Sequence, residues 1–204
     1  MAQGRFDDGP RMERLDVNFV NRYLRALDCY LHGEAASKSW VFAFNCAPQW
    51  PPIVLQHLLL GMNAHINLDL GAAADETCLG TELAGLKRDF DEINNILAAM
   101  VGGVRYQLSQ ISPWMRLLDL VGARTQDAII NFSIDRARDF AWSVAERLAP
   151  LGPEEAEREI ERLDVDIELL AKLIRSPGVI ISLANSIIRV SEVRSVPRVI
   201  EILS

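Results

Sequence analysis

The chain has 204 residues, of which 50% are hydrophobic and 24% are charged, and its net charge is −7. This composition is typical of a globular domain and excludes a disordered chain. The acidic balance argues against a protein that binds nucleic acid or an anionic membrane, because both partners require clustered lysine and arginine. We therefore expect neither a nucleic-acid partner nor a membrane partner.

The N-terminus and the cysteines indicate the cellular compartment. The first residues, MAQGRFDDGPRMERLD, are polar where a secretory signal needs an apolar stretch. We therefore expect a cytoplasmic protein, with a flexible tail over residues 1–11. Cys29, Cys46 and Cys78 show no CxxC or CxxH spacing, which favours buried free thiols over a zinc site or a redox pair.

The first predicted helix spans about residues 13–31 and ends at Gly33. Apolar residues recur in it at steps of three and four, which predicts one buried helical face. That predicted face consists of Val17, Val20, Leu24, Leu27 and Leu31. The apolar segment SKSWVFAFNC follows, and we expect its aromatic residues, among them Trp40, to lie in the core. It ends at the proline cluster PQWPP, where helix is disfavoured.

The next helix, over about residues 53–70, is apolar on nearly every side. A helix without a broad charged face is expected to lie at the centre of a bundle. Further segments with a helical period span about residues 82–100, 125–148 and 153–175, and two shorter helices follow.

No alternation typical of β-strands extends beyond a few residues, so the sequence predicts an all-α fold. We expect one domain over residues 1–204, a bundle of about seven to nine helices around the central helix. Residues 153–204 are expected to complete that bundle.

Polar residues interrupt the central helix along two stripes. Burying them without partners would cost roughly 1–3 kcal/mol each, so each must have a hydrogen-bond partner or line a pocket. The first stripe, with a spacing of four residues, is His57, Gly61, His65 and Asp69. The second stripe is Gln56, Asn63 and Asn67.

The spacing along the first stripe limits its chemistry. At a rise of about 1.5 Å per residue, His57 and His65 lie about 12 Å apart, too far to share a metal ion. His65 and Asp69, one turn apart, could provide two ligands of a divalent metal whose other ligands come from neighbouring helices. Without a metal, the same pair could act as a general base and its orienting carboxylate.

Two later helices add candidate site residues. Asp89 flanks the apolar face of its helix, and Arg138 and Trp142 lie at the edge of the apolar face of theirs. The forked guanidinium of Arg138 suits a carboxylate or a phosphate of a ligand. For Asp89 and Arg138, a salt bridge on the surface or between helices is at least as good an interpretation as a catalytic role.

Two hypotheses for the function follow. In the first, the protein is an enzyme that converts a small molecule by hydrolysis, isomerisation or cyclisation. The sequence has no Walker, GxGxxG, GxSxG or HExxH motif, so we expect no nucleotide cofactor and no redox reaction. The catalytic candidates are His65, Asp69 and His57, of which His65 and Asp69 are also the candidate metal ligands. The substrate-binding candidates are Asn63, Asn67, Asp89, Arg138 and Trp142.

In the second hypothesis, the same groups form a structural hydrogen-bond network in a ligand-binding or scaffold protein.

Four segments carry a resemblance to a known family: WVFAF at 40–44, LQHLLLGMNAHINLDL at 55–70, DFDEIN at 89–94 and RDFAW at 138–142. Together they resemble the bacterial family DUF5995, a domain of unknown function, over about residues 20–150. The resemblance implies no activity. The motif positions that match are His57, Gly61, Asn63, His65, Asn67 and Asp69. After about residue 153 no motif is recognised, and the apolar helices there could either close the core or form a homodimer contact.

Overall fold

The computed structural model describes residues 5–78, 80–118 and 134–203, and every regular element in these ranges is a helix. The predicted all-α fold is confirmed. The α-helices of the described ranges are α1 (Gly9–His32), α2 (Lys38–Cys46), α3 (Val54–Met62), α4 (Gly71–Thr77), α5 (Lys87–Ile111), α6 (Ile134–Leu148), α7 (Pro153–Arg175), α8 (Val179–Ser191) and α9 (Val196–Leu203).

Three shorter elements connect these helices. A π-helical segment, Asn63–Leu70, joins α3 to α4, and 3₁₀ turns occupy Gly80–Leu86 and Pro113–Arg116. The first part of the helix that the sequence predicts over residues 125–148 lies outside the described residues. Among the helices of the described ranges, none combines the length and the apolar character that crossing a membrane requires.

The helical run 54–77, formed by α3, the π segment and α4, lies at the centre of the fold. Helices α1, α2, α6 and α7 all contact the π segment, and α1 and α6 also contact α4. Its buried apolar residues in the second half are Ala64, Leu68, Leu70, Ala72, Ala73 and Ala74. The expected central helix is therefore present, although it extends beyond residue 70 and is not α-helical throughout.

Helix α1 turns a different face to the core from the predicted one. Four of the five residues predicted to be buried are about half exposed or more: Val17, Val20, Leu24 and Leu31. The residues that pack inward lie about a third of a turn away, and they are Met12, Leu15, Phe19, Tyr23 and Ala26. The prediction of the buried face is wrong because α1 carries two apolar stripes, and the stripe with the aromatic rings contacts the central helix.

The N-terminal segment is held to the body of the protein where the structure describes it. Helix α1 begins at Gly9, with the Asp8 side chain accepting from the amide of Arg11 at 3.0 Å. The amides of Asp7 and Asp8 donate to the buried carboxylate of Asp89 at 2.7 and 2.8 Å. Of the tail expected over residues 1–11, residues 9–11 therefore belong to helix α1.

Gly71 allows the closest approach between the central run and a neighbouring helix. A Cβ atom at Gly71 would lie 2.5 Å from the carbonyl oxygen of Ala141 and 2.7 Å from Cβ of Val144, both on α6. No side chain fits in that space. Glycine is therefore what lets α6 pack directly against α4.

Candidate functional site

The motif that carries the candidate residues adopts π-helical geometry. Residues Asn63–Leu70 form this segment, whereas the sequence predicts a regular α-helix there. Short π-helical bulges occur often at functional sites, because the wider turn changes the direction of the side chains that it presents. The segment includes His65 and Asp69, and it lies where α1, α2, α6 and α7 converge.

Asp69 is buried, and both of its carboxylate oxygens are engaged. Oδ1 accepts from Nε of Arg22 at 3.2 Å, and Oδ2 accepts from the indole Nε1 of Trp40 at 2.8 Å. Nδ1 of His65 lies 3.3 Å from Oδ2. Asp69 thus connects three helical elements and holds the imidazole of His65 from one side.

The imidazole of His65 is enclosed by aromatic rings but is not fully buried. It stacks on the ring of Phe19, with centroids 3.6 Å apart and an interplanar angle of 6°. Tyr23 and Trp40 lie at centroid distances of 6.0 and 5.8 Å. About one quarter of the His65 side chain, 26%, is exposed, and the described residues offer its Nε2 atom no hydrogen-bond partner.

Arg22 links Asp69 to a second carboxylate. Its Nη1 atom donates to Oε1 of Glu76 at 2.6 Å, while its Nε atom donates to Asp69. Only 17% of the Arg22 side chain is exposed, whereas 46% of the Glu76 side chain is exposed. Arg22 therefore links the buried carboxylate of Asp69 to the more exposed carboxylate of Glu76. Together with Trp40 and His65, these residues form one network of polar contacts.

A cavity of about 1090 Å³ opens beside Arg22, between α1, the residues before α2, α4 and α7. Its walls combine small apolar side chains with carboxylates that have no hydrogen-bond partner among the described residues, including Asp75 and Glu157. Burial, with a smaller contribution from the charge of Glu76, raises the pKa of Asp75 above its ordinary value.

A smaller cavity of about 170 Å³ adjoins the larger one and reaches Trp40 and Asp69. The lining residues that the two cavities share are Arg22, Ala35, Ala36, Ser37 and Ile160. His65 lines neither cavity. The cavities therefore approach the network from the Asp69 side, and the imidazole has a separate exposed edge.

The second polar stripe of the central run holds helices together. Asn67 Nδ2 donates to Oδ1 of Asn63 at 2.9 Å, and Asn63 Nδ2 donates to the carbonyl of Ile167 on α7 at 2.9 Å. Gln56 Nε2 donates to the carbonyl of Ile174 at 2.7 Å. These amides bond to protein groups, and the structure does not place Asn63 or Asn67 on either cavity.

Asp89, Arg138 and Trp142 are buried away from His65, where α5, α6 and the N-terminal segment meet. The carboxylate of Asp89 accepts from the backbone amides of Asp7 and Asp8. Arg138 donates to the side-chain oxygen of Asn94 and to the carbonyl of Phe90, and its guanidinium lies 4.3 Å from the centre of the Phe90 ring. Trp142 donates to Glu146 at 2.8 Å. Asp89 and Arg138 therefore make contacts between elements, and the Trp142 ring contacts that of Phe90 on α5, with centroids 5.1 Å apart. None of the three is brought to the imidazole.

His57 lies in α3, near α8 and the end of α7. Burial lowers the pKa of His57 below its ordinary value, and the positive charges of Arg189 and Arg175 act in the same direction. His57 lines neither cavity, so the structure does not bring it together with His65 and Asp69.

Among the described residues, no further ligand completes the metal site that the sequence suggested for His65 and Asp69. Within the described ranges, no group of three or more His, Cys, Asp and Glu side chains could hold a metal. His65 and Asp69 also face each other rather than a common point, and the other oxygen of Asp69 accepts from Arg22.

Sequence reasoning missed Arg22, Phe19 and Tyr23, all of which lie on α1 near Asp69 or His65. The predicted buried face of α1 placed them on the solvent side. The two aromatic rings, four residues apart, were the signal that could have identified the inner face, since large aromatic side chains dominate core packing. Trp40 lies in the core as expected, but its indole also donates to Asp69.

The family model described as "Family of unknown function (DUF5995)" matches residues 1–177 of the chain. No curated protein and no solved structure matches the chain.

Proposed function

Since the chain belongs to the DUF5995 family, whose function is unknown, we propose a function from the site itself: an enzyme that performs acid–base chemistry on a small molecule. His65 is the group that transfers protons, and Asp69 is the carboxylate that orients it. The observation that carries this proposal is the contact between Nδ1 of His65 and an Asp69 carboxylate that Arg22 and Trp40 already hold.

A histidine acts as a base only when one ring nitrogen is unprotonated and accessible. If Nδ1–H donates to Asp69, the neutral ring carries its lone pair on Nε2. The described residues leave that atom without a partner, and the side chain is 26% exposed. Nε2 is therefore the atom that would take a proton from a water molecule or from a bound substrate.

The surroundings of the His65 ring suit the uptake and release of a proton at Nε2. When Nε2 takes the proton, the imidazolium that forms lies against the negative Asp69 and the face of the Phe19 ring, and both attract a cation. The ring then returns the proton to the leaving group or to another atom of the same molecule. Hydrolysis fits the first outcome, and isomerisation or cyclisation fits the second.

The large cavity favours a second candidate function, a protein that binds a small molecule without converting it. The cavity borders Arg22 and Asp75 but not His65. A ligand confined to it would contact the Arg22 end of the network and would not reach the imidazole. In this alternative the His65–Asp69 contact only stabilises the packing of α1 and α2 on the central run.

A comparison of His65→Gln with His32→Gln tests the proposed activity. His32 is the matched control, because it also lies four residues from an aspartate, with Nδ1 3.2 Å from Oδ1 of Asp28, but on the exposed end of α1. Each purified protein is incubated with a bacterial metabolite extract, and consumed compounds are identified by mass spectrometry. We expect His65→Gln to lower the rate of consumption by about 100-fold or more, and His32→Gln to leave it unchanged.

Equal consumption by the wild-type protein and His65→Gln would contradict the proposal. A compound that both proteins retain without converting it would instead support the second candidate.

A further inference from the structure

Helix α8 is apolar on two opposite sides. On its inner side, Ile181, Ala184 and Ile188 are at most 5% exposed and belong to an apolar cluster that includes residues of α3 and α7. The helix also contacts the Pro113–Arg116 turn. Its outer side carries five large aliphatic residues with exposed fractions between 45% and 87%: Val179, Ile180, Leu183, Ile187 and Val190. At about 100° per residue these five lie within roughly 100° of the helix circumference and form one face, named here the outer α8 face. A helix at the surface of a globular protein normally has one apolar stripe. Helix α1 also has an outer apolar stripe, but the residues of the outer α8 face are on average more exposed.

The outer α8 face is large enough to form a stable contact. From their exposed fractions, these five side chains present roughly 500 Å² of apolar surface, near the upper limit for the largest patch on an ordinary monomer. Two such surfaces facing each other would bury roughly 1,000 Å² in total, which is about the smallest area of a specific interface.

We propose that the outer α8 face is the contact surface of a symmetric homodimer. This inference does not depend on the proposed acid–base chemistry. A two-fold axis requires a surface that is complementary to itself, so that each contact occurs twice. When two copies of α8 are placed antiparallel about an axis near Asn185, Leu183 of one copy lies opposite Ile187 of the other. Ile180 then lies opposite Val190, so these four apolar residues face each other about the axis, and Val179 at the end of the face lies opposite Ser191.

The charges near α8 agree with a second copy as the partner. Arg189 points away from this face, because its guanidinium donates to the carbonyl of Trp50 at 2.9 Å and to Glu192 at 2.6 Å. No charged residue therefore lies among the five, and two identical surfaces can meet without bringing like charges together. The same absence of charge argues against a strongly acidic or basic partner.

Sedimentation velocity over a range of protein concentrations tests the dimer. We expect the wild-type protein to sediment at about twice the 22.8 kDa mass of the chain. The double variant Leu183→Glu with Ile187→Glu should raise the dimer dissociation constant by about 100-fold or more, because it buries four carboxylates in an apolar contact. Both side chains are exposed, so circular dichroism should show the same helical content as in the wild type.

The matched control is Val20→Glu with Leu24→Glu on α1. These residues are also four apart and are 47% and 50% exposed, but they lie on a different surface. The control protein should remain dimeric. A wild-type protein that is monomeric up to about 100 µM, or a dimer that both double variants leave intact, would overturn the proposal.

Two further measurements test the orientation and the identity of the partner. Leu183→Cys with Ile187→Cys should give a covalent dimer on mild oxidation, whereas Val20→Cys with Leu24→Cys should not. A monomeric wild-type protein that floats with phosphatidylglycerol vesicles, and loses this binding in the Leu183→Glu and Ile187→Glu variant, would also overturn the dimer. That result would assign the outer α8 face to a lipid surface.

Discussion

Replacing Gly71 with alanine should lower the free energy of unfolding by about 2 kcal/mol, although alanine is the better helix former. The new methyl group would lie 2.5 Å from the carbonyl oxygen of Ala141, a backbone atom that cannot turn aside. Helix α6 would have to move away from α4 and would loosen the apolar packing of Val144. Chemical denaturation monitored by circular dichroism measures the change.

Gly61→Ala is the matched control, because Gly61 lies in the same helical run and a Cβ atom there would meet no atom within 4 Å. This substitution should raise the free energy of unfolding by about 0.5–1 kcal/mol, since it removes backbone entropy from the unfolded chain without a clash. If Gly71→Ala were also stabilising, the close approach of α6 to the central run would be wrong.

Asp69→Ala should lower the free energy of unfolding by about 3 kcal/mol, a large effect for the removal of one side chain. The substitution leaves the Trp40 indole without its acceptor, and it leaves the mostly buried guanidinium of Arg22 with Glu76 alone. Unsatisfied buried donors and uncompensated buried charge are both costly. Thermal and chemical denaturation measure this loss directly.

Glu76→Ala removes the other carboxylate that Arg22 binds, and it should cost about 1 kcal/mol or less. The difference follows from exposure, since the Glu76 side chain is 46% exposed and the Asp69 side chain is 4% exposed. Equal losses for the two variants would show that Asp69 is not the residue on which the network depends.

The central position of the run 54–77 could be predicted from the sequence, because a helix without a charged face has to be surrounded by other helices. The π-helical segment within this run could not be predicted from the sequence. An α-helix and a π-helix differ in the residue to which each amide bonds, and eight residues are too few for the resulting change of period to appear in the hydrophobic pattern.

The inner face of α1 shows a different limit. Both stripes of α1 are apolar, and the side that faces the core depends on partners far away in the chain. Arg22 and Asp69, for example, are separated by 47 positions. A periodicity within one helix contains no information about such a partner, so the aliphatic stripe was the natural but incorrect choice.

The candidate site was predictable where its contacts are local. The spacing of His65 and Asp69 placed them one turn apart, and the structure brings them into contact at 3.3 Å. The five candidates for substrate binding, Asn63, Asn67, Asp89, Arg138 and Trp142, are all buried. Polarity and burial alone cannot separate a group that binds a ligand from one that binds a backbone carbonyl or amide in another helix.

The tautomer of His65 tests the central claim most directly, because no substrate has to be known. The chain has 3 histidines, so long-range ¹H–¹⁵N NMR of the imidazoles can be assigned with His32→Gln and His57→Gln variants. At a pH where the ring is neutral, we predict that Nδ1 of His65 carries the proton and that Nε2 is unprotonated, and that Asp69→Asn weakens this preference. A neutral His65 that carries its proton on Nε2 in the wild-type protein would contradict the assignment of His65 as a base oriented by Asp69.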